Sequence, residues 1–325
     1  MPVTRLLTVS LTVENLSQAA AYFRDSLGLE PGPERTLDDP AHNRLLGLRP
    51  ETTARARDIR VGAQTLEIVA FDPPGAPYPA ERAANDQWFQ HVAFVCRSIE
   101  TTAQPLLSAG ADRVTRGGPV LLPPNTGSVT AFKFRDPDGH PLELIEFPDG
   151  IGAPIWRERT GPGVLGYDHT AISTLDLDRS LAFYADLLGL RVGGRTLNRG
   201  ETQNRLDGLD GVEVDVVALE PARVATPHVE LLHYRAPRGR ALASPLRAND
   251  AASVRQVHEV DDLDAVFARL SAAKANLVCA RVVALADGRR AASVRDPDGH
   301  MLMLMSGDDA GASSSSSIAS KKPGA

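Results

Sequence analysis

Hydrophobic and polar positions alternate in four short stretches of the chain, namely LLTVSLTV, QHVAFVC, DHTAIST and SVRQVHEV. A period of two is typical of a β-strand that has one face against a core. After each stretch, apolar residues recur at helical spacing, as in LDRSLAFYADLL and DLDAVFARLSAA. Further strands and turns follow each helix. The pattern therefore predicts an α+β protein built from four βαβββ modules.

The two halves of the chain repeat each other. Three motifs occur once in each half, in the same order: AYFRDSLGL and AFYADLLGL (Ala21–Leu29, Ala182–Leu190), HNRLLGL and QNRLDGL (His42–Leu48, Gln203–Leu209), and two copies of RDPDGH (Arg135–His140, Arg295–His300). Each pair is separated by about 160 residues, which is the signature of a duplicated unit. Each half contains two modules, numbered 1 to 4 along the chain.

The repeat predicts the domain organisation. We expect one two-module domain over residues 1–148 and a second over 164–306, joined by a Pro/Gly-rich linker over 149–163. The Ser-rich segment 307–325 is of low complexity and is predicted to be a disordered tail.

Composition narrows the class of protein. Hydrophobic residues make up 42% and charged residues 23%, as in ordinary globular proteins. The net charge of −6 argues against a nucleic-acid or anionic-membrane partner. We find no run of apolar residues long enough to span a bilayer and no signal peptide. Cys96 and Cys279 stand apart without CxxC spacing, so we expect a cytoplasmic protein with reduced thiols.

FYADLLGL on the first helix of module 3 and DPDGHPLEL at the last hairpin of module 2 together give the chain a family resemblance. The sequence resembles the vicinal oxygen chelate superfamily, which includes glyoxalase I, fosfomycin-resistance proteins, extradiol dioxygenases and bleomycin-resistance proteins. The resemblance implies that modules pair and curl their sheets into half-barrel clefts. It also implies that metal ligands come from the first and last strands of a module.

The ligand positions implied by the resemblance are unequally filled. They fall on Thr8 and Glu67 in module 1, His91 and Glu143 in module 2, His169 and Glu230 in module 3, and Arg255 and Met303 in module 4. If each half formed its own cleft, neither cleft would be complete. If module 2 pairs with module 3, and module 1 with module 4, one cleft receives both histidines and two glutamates. We therefore expect cross-half pairing, with one active and one vestigial cleft, and Glu67 pairing with Arg255 in the latter.

His91, Glu143, His169 and Glu230 suit a divalent ion such as Zn, Ni, Co, Mn or Fe(II). Four protein ligands leave two positions of an octahedral ion for a bidentate substrate. Glu143 or Glu230 is also a candidate general base, and the sequence does not decide between them.

Three further residues are candidates for substrate binding. Trp88 and Phe89 directly precede the strand of His91, and His228 lies two residues before Glu230 on the same strand face. The alternative interpretation is ordinary packing. The histidines of the two RDPDGH turns, His140 and His300, are expected to be solvated.

The resemblance favours a metal-dependent lyase or isomerase of glyoxalase type, which acts on a small oxygenated substrate through a metal-bound enolate. One alternative is an Fe(II)-dependent ring-cleaving dioxygenase, against which the second glutamate counts, because such sites use two histidines and one carboxylate. Another is a metal-free drug-binding resistance protein, which would have no need of paired histidines and glutamates. Four modules in one chain allow a monomer, and a homodimer stays open.

Overall fold

The computed structural model describes residues 2–37 and 39–307. All but the first residue of the predicted tail lies outside the described residues, so that prediction is not tested. No helix in the described ranges is long and apolar enough to cross a membrane.

The elements follow the predicted modular order. Module 1 contains β1 (Val3–Thr12), α1 (Leu16–Leu27), β2 (Glu30–Pro31), β3 (Arg35–Thr36), α2 (Pro40–Leu46), β4 (Thr53–Val61) and β5 (Gln64–Asp72). Module 2 contains β6 (Gln90–Cys96), α3 (Ile99–Ser108), β7 (Val120–Leu121), a 3₁₀ turn (Pro124–Thr126), β8 (Thr130–Arg135) and β9 (Pro141–Glu146). Helix α4 (Pro154–Glu158) lies in the linker.

The second half repeats this order. Module 3 contains β10 (Val164–Ser173), α5 (Leu177–Leu181) with a π-helical continuation (Ala182–Leu187), β11 (Arg191–Arg199), α6 (Glu201–Asp207), β12 (Glu213–Glu220) and β13 (His228–Ala236). Module 4 contains β14 (Val254–Val260), α7 (Leu263–Ala272), β15 (Asn276–Leu277), β16 (Val283–Ala284), β17 (Arg290–Arg295) and β18 (Met301–Ser306).

The first helix of each half begins and ends on matching chemistry. The Asn15 side chain caps α1 and the Asp176 side chain caps α5, each by accepting bonds from backbone N–H groups of the first turn. In both copies the glycine of the LGL motif ends the helical segment in the left-handed conformation, with φ of 66° at Gly28 and 74° at Gly189. The repeated motif is therefore a helix stop.

The strands form two sheets, and each sheet joins modules from different halves. One has the order β15-β17-β18-β14-β1-β5-β4-β2 and comes from modules 4 and 1. The other has the order β11-β12-β13-β10-β6-β9-β8-β7 and comes from modules 3 and 2. The central pairs, β1 with β14 and β10 with β6, are antiparallel. This topology confirms the predicted cross-half strand pairing and the α+β fold with two curled sheets.

Alternation along the strands separates the core from the cleft. Val92 and Phe94 of β6 belong to a hydrophobic cluster shared with α1 and α3. His91 has the opposite strand phase, so its side chain faces the other side of the sheet. The helices thus pack on one side of the central strands, and the cleft opens on the other.

The duplicated RDPDGH turns connect the two sheets. His140 Nδ1 lies 2.9 Å from Asp136 Oδ2, and its Nε2 lies 2.8 Å from the carbonyl oxygen of Ala251, just before β14. His300 Nε2 lies 3.1 Å from the carbonyl oxygen of Ser173 of β10. Both histidines are buried. The expectation that they are solvated is wrong, because each turn packs against a module of the other sheet.

Candidate metal centre

Four adjacent strands of the second sheet bring the predicted ligands together. The strand order β13-β10-β6-β9 places Glu230, His169, His91 and Glu143 side by side on the cleft face. Glu143 Oε2 lies 2.9 Å from His91 Nε2 and 3.7 Å from His169 Nε2. Glu230 Oε2 lies 3.5 Å from His169 Nε2. His91, Glu143 and His169 offer ligand atoms that all lie within 4.8 Å of one another, and Glu230 joins this cluster through His169.

The Nε2 atoms of both imidazoles at this centre lack hydrogen-bond partners among the described residues. His91 Nε2 and His169 Nε2 are buried, and neither forms a hydrogen bond with any described residue. The short separation of His91 from Glu143 therefore reflects convergence on a common point rather than a well-aligned hydrogen bond. Buried polar atoms without partners are costly. A divalent ion between the four side chains would satisfy these nitrogens, so the donor set fits a metal.

Asp168, which the sequence analysis missed, orients one of the histidines. Its Oδ2 lies 3.2 Å from His169 Nδ1, and its Oδ1 accepts a hydrogen bond of 2.6 Å from Trp156 Nε1 of the linker helix. A carboxylate on the outer nitrogen of a ligating histidine fixes the ring and makes it more basic. The only sequence signal was that Asp168 directly precedes His169 in the chain.

Burial and charge set the protonation of the centre. Burial lowers the pKa of His91, and Glu143 only partly opposes this. Burial alone would raise the pKa of Glu143, but the Lys133 ammonium and the imidazoles hold it well below its usual value. Burial alone would likewise lower the pKa of Lys133, but Asp207 and Glu143 hold it above the usual value. A neutral His91 and an ionised Glu143 are the forms that bind metal.

A cavity of about 370 Å³ opens above the centre. Its walls are mainly apolar and include Leu122, Ile145, Val216 and Leu232. Lys133 and Tyr234 add polar groups on one side. The volume lies at the lower end of the range for small-molecule sites, roughly 300–1,000 Å³.

Comparison with known proteins identifies the family. The sequence profile described as the Glyoxalase/Bleomycin resistance protein/Dioxygenase superfamily matches residues 5–144 and 166–304. The chain belongs to this superfamily. The matched segments contain all four modules.

Relatives within the glyoxalase superfamily are distant. "Lactoylglutathione lyase GLX1" of Arabidopsis thaliana is 24% identical over 191 residues, which is 58% of this chain and 56% of that protein. The match thus spans little more than half the length of that relative. Glyoxalase I from Zea mays has a TM-score of 0.58 at 18% identity and covers 93% of this chain and 92% of its own. A putative dioxygenase from Bacillus subtilis has a TM-score of 0.56 at 12% identity, covering 94% and 86%. The two structures share the fold.

Three of the four expected ligand positions hold other residue types in the other cleft. Strand register places Thr8 and Thr65 where the cleft of modules 2 and 3 has His169 and His228, and Val257 opposite Met303 where it has Ala93 opposite Glu143. Met303 is thus the duplicate of Glu143. The carboxylate at this position is missing only from the cleft of modules 1 and 4.

Glu67 of this second cleft pairs with a different arginine from the one expected. Arg35, not Arg255, forms its ion pair. Arg255 donates 2.7 Å hydrogen bonds to Ser10 Oγ and Thr12 Oγ1, and Ser10 Oγ donates to Glu67 Oε1 at 2.7 Å. The predicted direct ion pair between Glu67 and Arg255 is therefore wrong, because Ser10 lies between the two charged groups and forms a hydrogen bond with each.

The predicted substrate residues lie beside the cavity rather than on its wall. Phe89 is buried with its ring edge-on to His91, at 5.6 Å between centroids, and Trp88 packs under the Arg240 guanidinium. His228 Nε2 lies 3.4 Å from Glu230 Oε1. None of the three lines the cavity. Phe89 and His228 contact side chains of the centre and Trp88 contacts Arg240, and the role of the three in substrate binding stays a prediction.

Asp168→Asn is expected to weaken metal binding by about tenfold, since an outer partner of a ligating histidine is worth 10–100-fold in affinity. Asn keeps the size of the side chain and can still accept the bond from Trp156. Competition with a fluorescent chelator measures the affinity. Asp176→Asn, at the cap of α5, is the matched control and should leave affinity unchanged. Equal affinity of Asp168→Asn and the native chain would show that Asp168 does not tune the site.

Proposed function

We propose that the chain is a metal-dependent enzyme of glyoxalase type, a lyase or isomerase that acts on a small oxygenated substrate in the cleft of modules 2 and 3. The observation that carries this proposal is the convergence of His91, Glu143, His169 and Glu230 around imidazole nitrogens without partners. The other cleft would be vestigial, since it keeps one of the four side-chain types at these positions.

His91, His169, Glu143 and Glu230 would hold the divalent ion. A bound ion of this kind acts as a Lewis acid toward vicinal oxygens of a substrate. The chain's own contribution is to fix the ligands, to exclude bulk water with the apolar cavity walls, and to move a proton.

Of the two glutamates that would hold the ion, Glu230 is the better placed to leave it and move that proton. Its side chain is 19% exposed, against 6% for Glu143. Glu143 is enclosed by both imidazoles and Lys133, which makes it a weak base. In the proposed reaction Glu230 removes a proton from a carbon next to a carbonyl and returns it to the neighbouring carbon. His228 supports the carboxylate from the side.

The donor set favours this chemistry over oxygen chemistry. An Fe(II) dioxygenase site of the common kind uses two histidines and one carboxylate, so that substrate and O₂ find open positions. The second glutamate of this site would occupy one of them. The fold is compatible with both reactions.

The test is turnover by protein reconstituted with Zn, Ni, Co, Mn or Fe(II). Substrates would be hemithioacetals formed from a 2-oxoaldehyde and a thiol, and catechol or hydroquinone in an oxygen-electrode cell. We expect isomerisation without O₂ uptake. Stoichiometric O₂ consumption with iron would overturn the proposal in favour of a dioxygenase. Failure to retain any metal would overturn it in favour of a binding protein.

Glu230→Gln is expected to lower kcat by at least about 100-fold, because a positioned general base contributes about 10²–10⁴-fold. Steady-state kinetics and elemental analysis would be measured on the same preparation. Glu67→Gln, at the equivalent position of the other cleft, is the matched control and should retain native kcat. Native turnover in Glu230→Gln would rule out Glu230 as the base.

A further inference from the structure

A buried ion pair lies on one side of the cavity. Lys133 Nζ of β8 donates a 2.8 Å hydrogen bond to Asp207 Oδ1 at the end of α6, and the two side chains are 5% and 0% exposed. Gln203 Nε2 donates to the other carboxylate oxygen at 2.7 Å. The carboxylate thus holds the ammonium in one place, and the pair connects module 2 to module 3.

The fold itself does not require this pair. Lys133 lies opposite Glu143 in its hairpin, and Ser293 lies opposite Met303 in the duplicated hairpin. Asp207 ends α6 and Leu46 ends α2, each followed by a left-handed glycine. The other cleft therefore folds with serine and leucine at the same two positions. Since burying an ion pair is costly and often no more stabilising than apolar packing, a stability role does not explain the pair.

A tyrosine hydroxyl next to the ion pair lacks a hydrogen bond of normal geometry among the described residues. Tyr234 lines the cavity four residues after Glu230, on the same strand face. Its hydroxyl is buried close to the Asp207 carboxylate but forms no hydrogen bond of normal geometry with the part of the chain that the structure describes. The equivalent residue in the other cleft, four after Glu67, is Phe71. Buried tyrosine hydroxyls usually find a partner, so the Tyr234 hydroxyl can donate a hydrogen bond to an acceptor in the cavity.

We propose that Lys133 and Tyr234 form an anion subsite that binds a carboxylate or comparable anionic oxygen of the substrate, away from the two oxygens directed to the metal. The proposal rests on the function proposed above and narrows its substrate class to small oxygenated acids. Lys133 is a specificity-determining residue in this view, and Asp207 positions it.

The chemistry of the two groups matches such an oxygen. An ammonium has three protons, and Asp207 accepts the one bond from Lys133 that is seen among the described residues. The other protons and the tyrosine hydroxyl can be donated to one acceptor. A carboxylate gains most from this arrangement, because hydrogen bonds between charged groups are about twice as strong as neutral ones.

The test compares two probes that differ in one charged group. Malate and 2-hydroxybutyrate both offer a hydroxyl and a neighbouring carboxylate to a metal, but only malate has a second carboxylate. Binding to the metal-loaded chain would be measured by titration calorimetry. We expect malate to bind about tenfold more tightly, the effect of one charge-assisted hydrogen bond.

The decisive variant is Lys133→Ser/Asp207→Leu, which copies the residues of the other cleft and removes both members of the ion pair together. Because Lys133 also faces Glu143, both probes are compared on chains of equal metal content, and the malate preference should disappear. Tyr234→Phe should reduce the preference in part. A preference that persists in the double variant, or equal binding of both probes to the native chain, would overturn the subsite.

The outcome is separable from that of the proposed function. Metal content is measured independently of the probes, so a native chain that holds no metal would overturn the enzyme proposal. A malate preference in that metal-free chain, lost in the double variant, would still support the subsite.

Discussion

His91→Ala or His169→Ala is expected to abolish stoichiometric metal binding. Each substitution removes one of two imidazoles whose Nε2 atoms converge on the Glu143 carboxylate. Even an outer partner of a ligand is worth 10–100-fold in affinity, so loss of a ligand should cost more than about 100-fold. Elemental analysis after dialysis against a weak chelator measures the ions bound per chain. The native chain should retain one.

Glu67→Gln is the control for this loss. Glu67 occupies the position of Glu230 in the duplicated cleft, where Thr8 and Met303 stand in place of a histidine and a glutamate. This variant should retain the native metal content. Equal loss in Glu67→Gln and His169→Ala, or two ions bound to the native chain, would contradict the assignment of a single metal site to modules 2 and 3.

Arg255→Met is expected to lower the free energy of unfolding by about 3 kcal/mol while leaving metal content unchanged. Arg255 is 1% exposed, and this burial lowers its pKa to about 10. Its guanidinium donates to Ser10, Thr12 and the carbonyl oxygen of Ala248, and the field of Glu67 favours its charge. Methionine fills similar space but leaves these acceptors without a donor. Denaturant unfolding measures the difference.

Arg60→Met is the matched control for Arg255→Met. Arg60 is exposed on β4 of the same sheet, and a surface substitution of this kind changes stability by no more than about 0.5 kcal/mol. If Arg255→Met instead removed the metal and left stability unchanged, the cleft of modules 1 and 4 would contribute to metal binding rather than to stability. The expected result would show that the second cleft contributes to stability where the first contributes ligands.

Several features of the fold could be predicted because they are local or repeated. The alternation in QHVAFVC and DHTAIST places His91 and His169 on one strand face, and both side chains line the same cavity. The repeat aligned Glu143 with Met303, and the register of both sheets agrees. The cross-half pairing followed from the completeness of the ligand set rather than from any strand pattern.

Features that depend on packing between distant segments could not be predicted. Trp88 and Phe89 precede a strand, where no periodicity indicates direction, and both lie beside the cavity without lining it. His140 was expected to be solvated because it lies in a turn, but the turn packs against Ala251 of another module. Nothing in the sequence singled out Lys133, because its partner Asp207 lies in the other half of the chain.

The sequence by itself determined the four modules, the strand face of each candidate ligand and the inequality of the two clefts, since all three depend on periodicity and duplication along the chain. Only the tertiary structure decided which groups meet inside the cleft: the carboxylate of Asp168 on His169, the Lys133–Asp207 pair, and Arg35 in place of Arg255 beside Glu67. The physical reason is that a buried polar side chain is satisfied by whatever partner folding brings within about 3 Å. Strand periodicity fixes the direction of a side chain, but the position of its partner is set by how the modules pack.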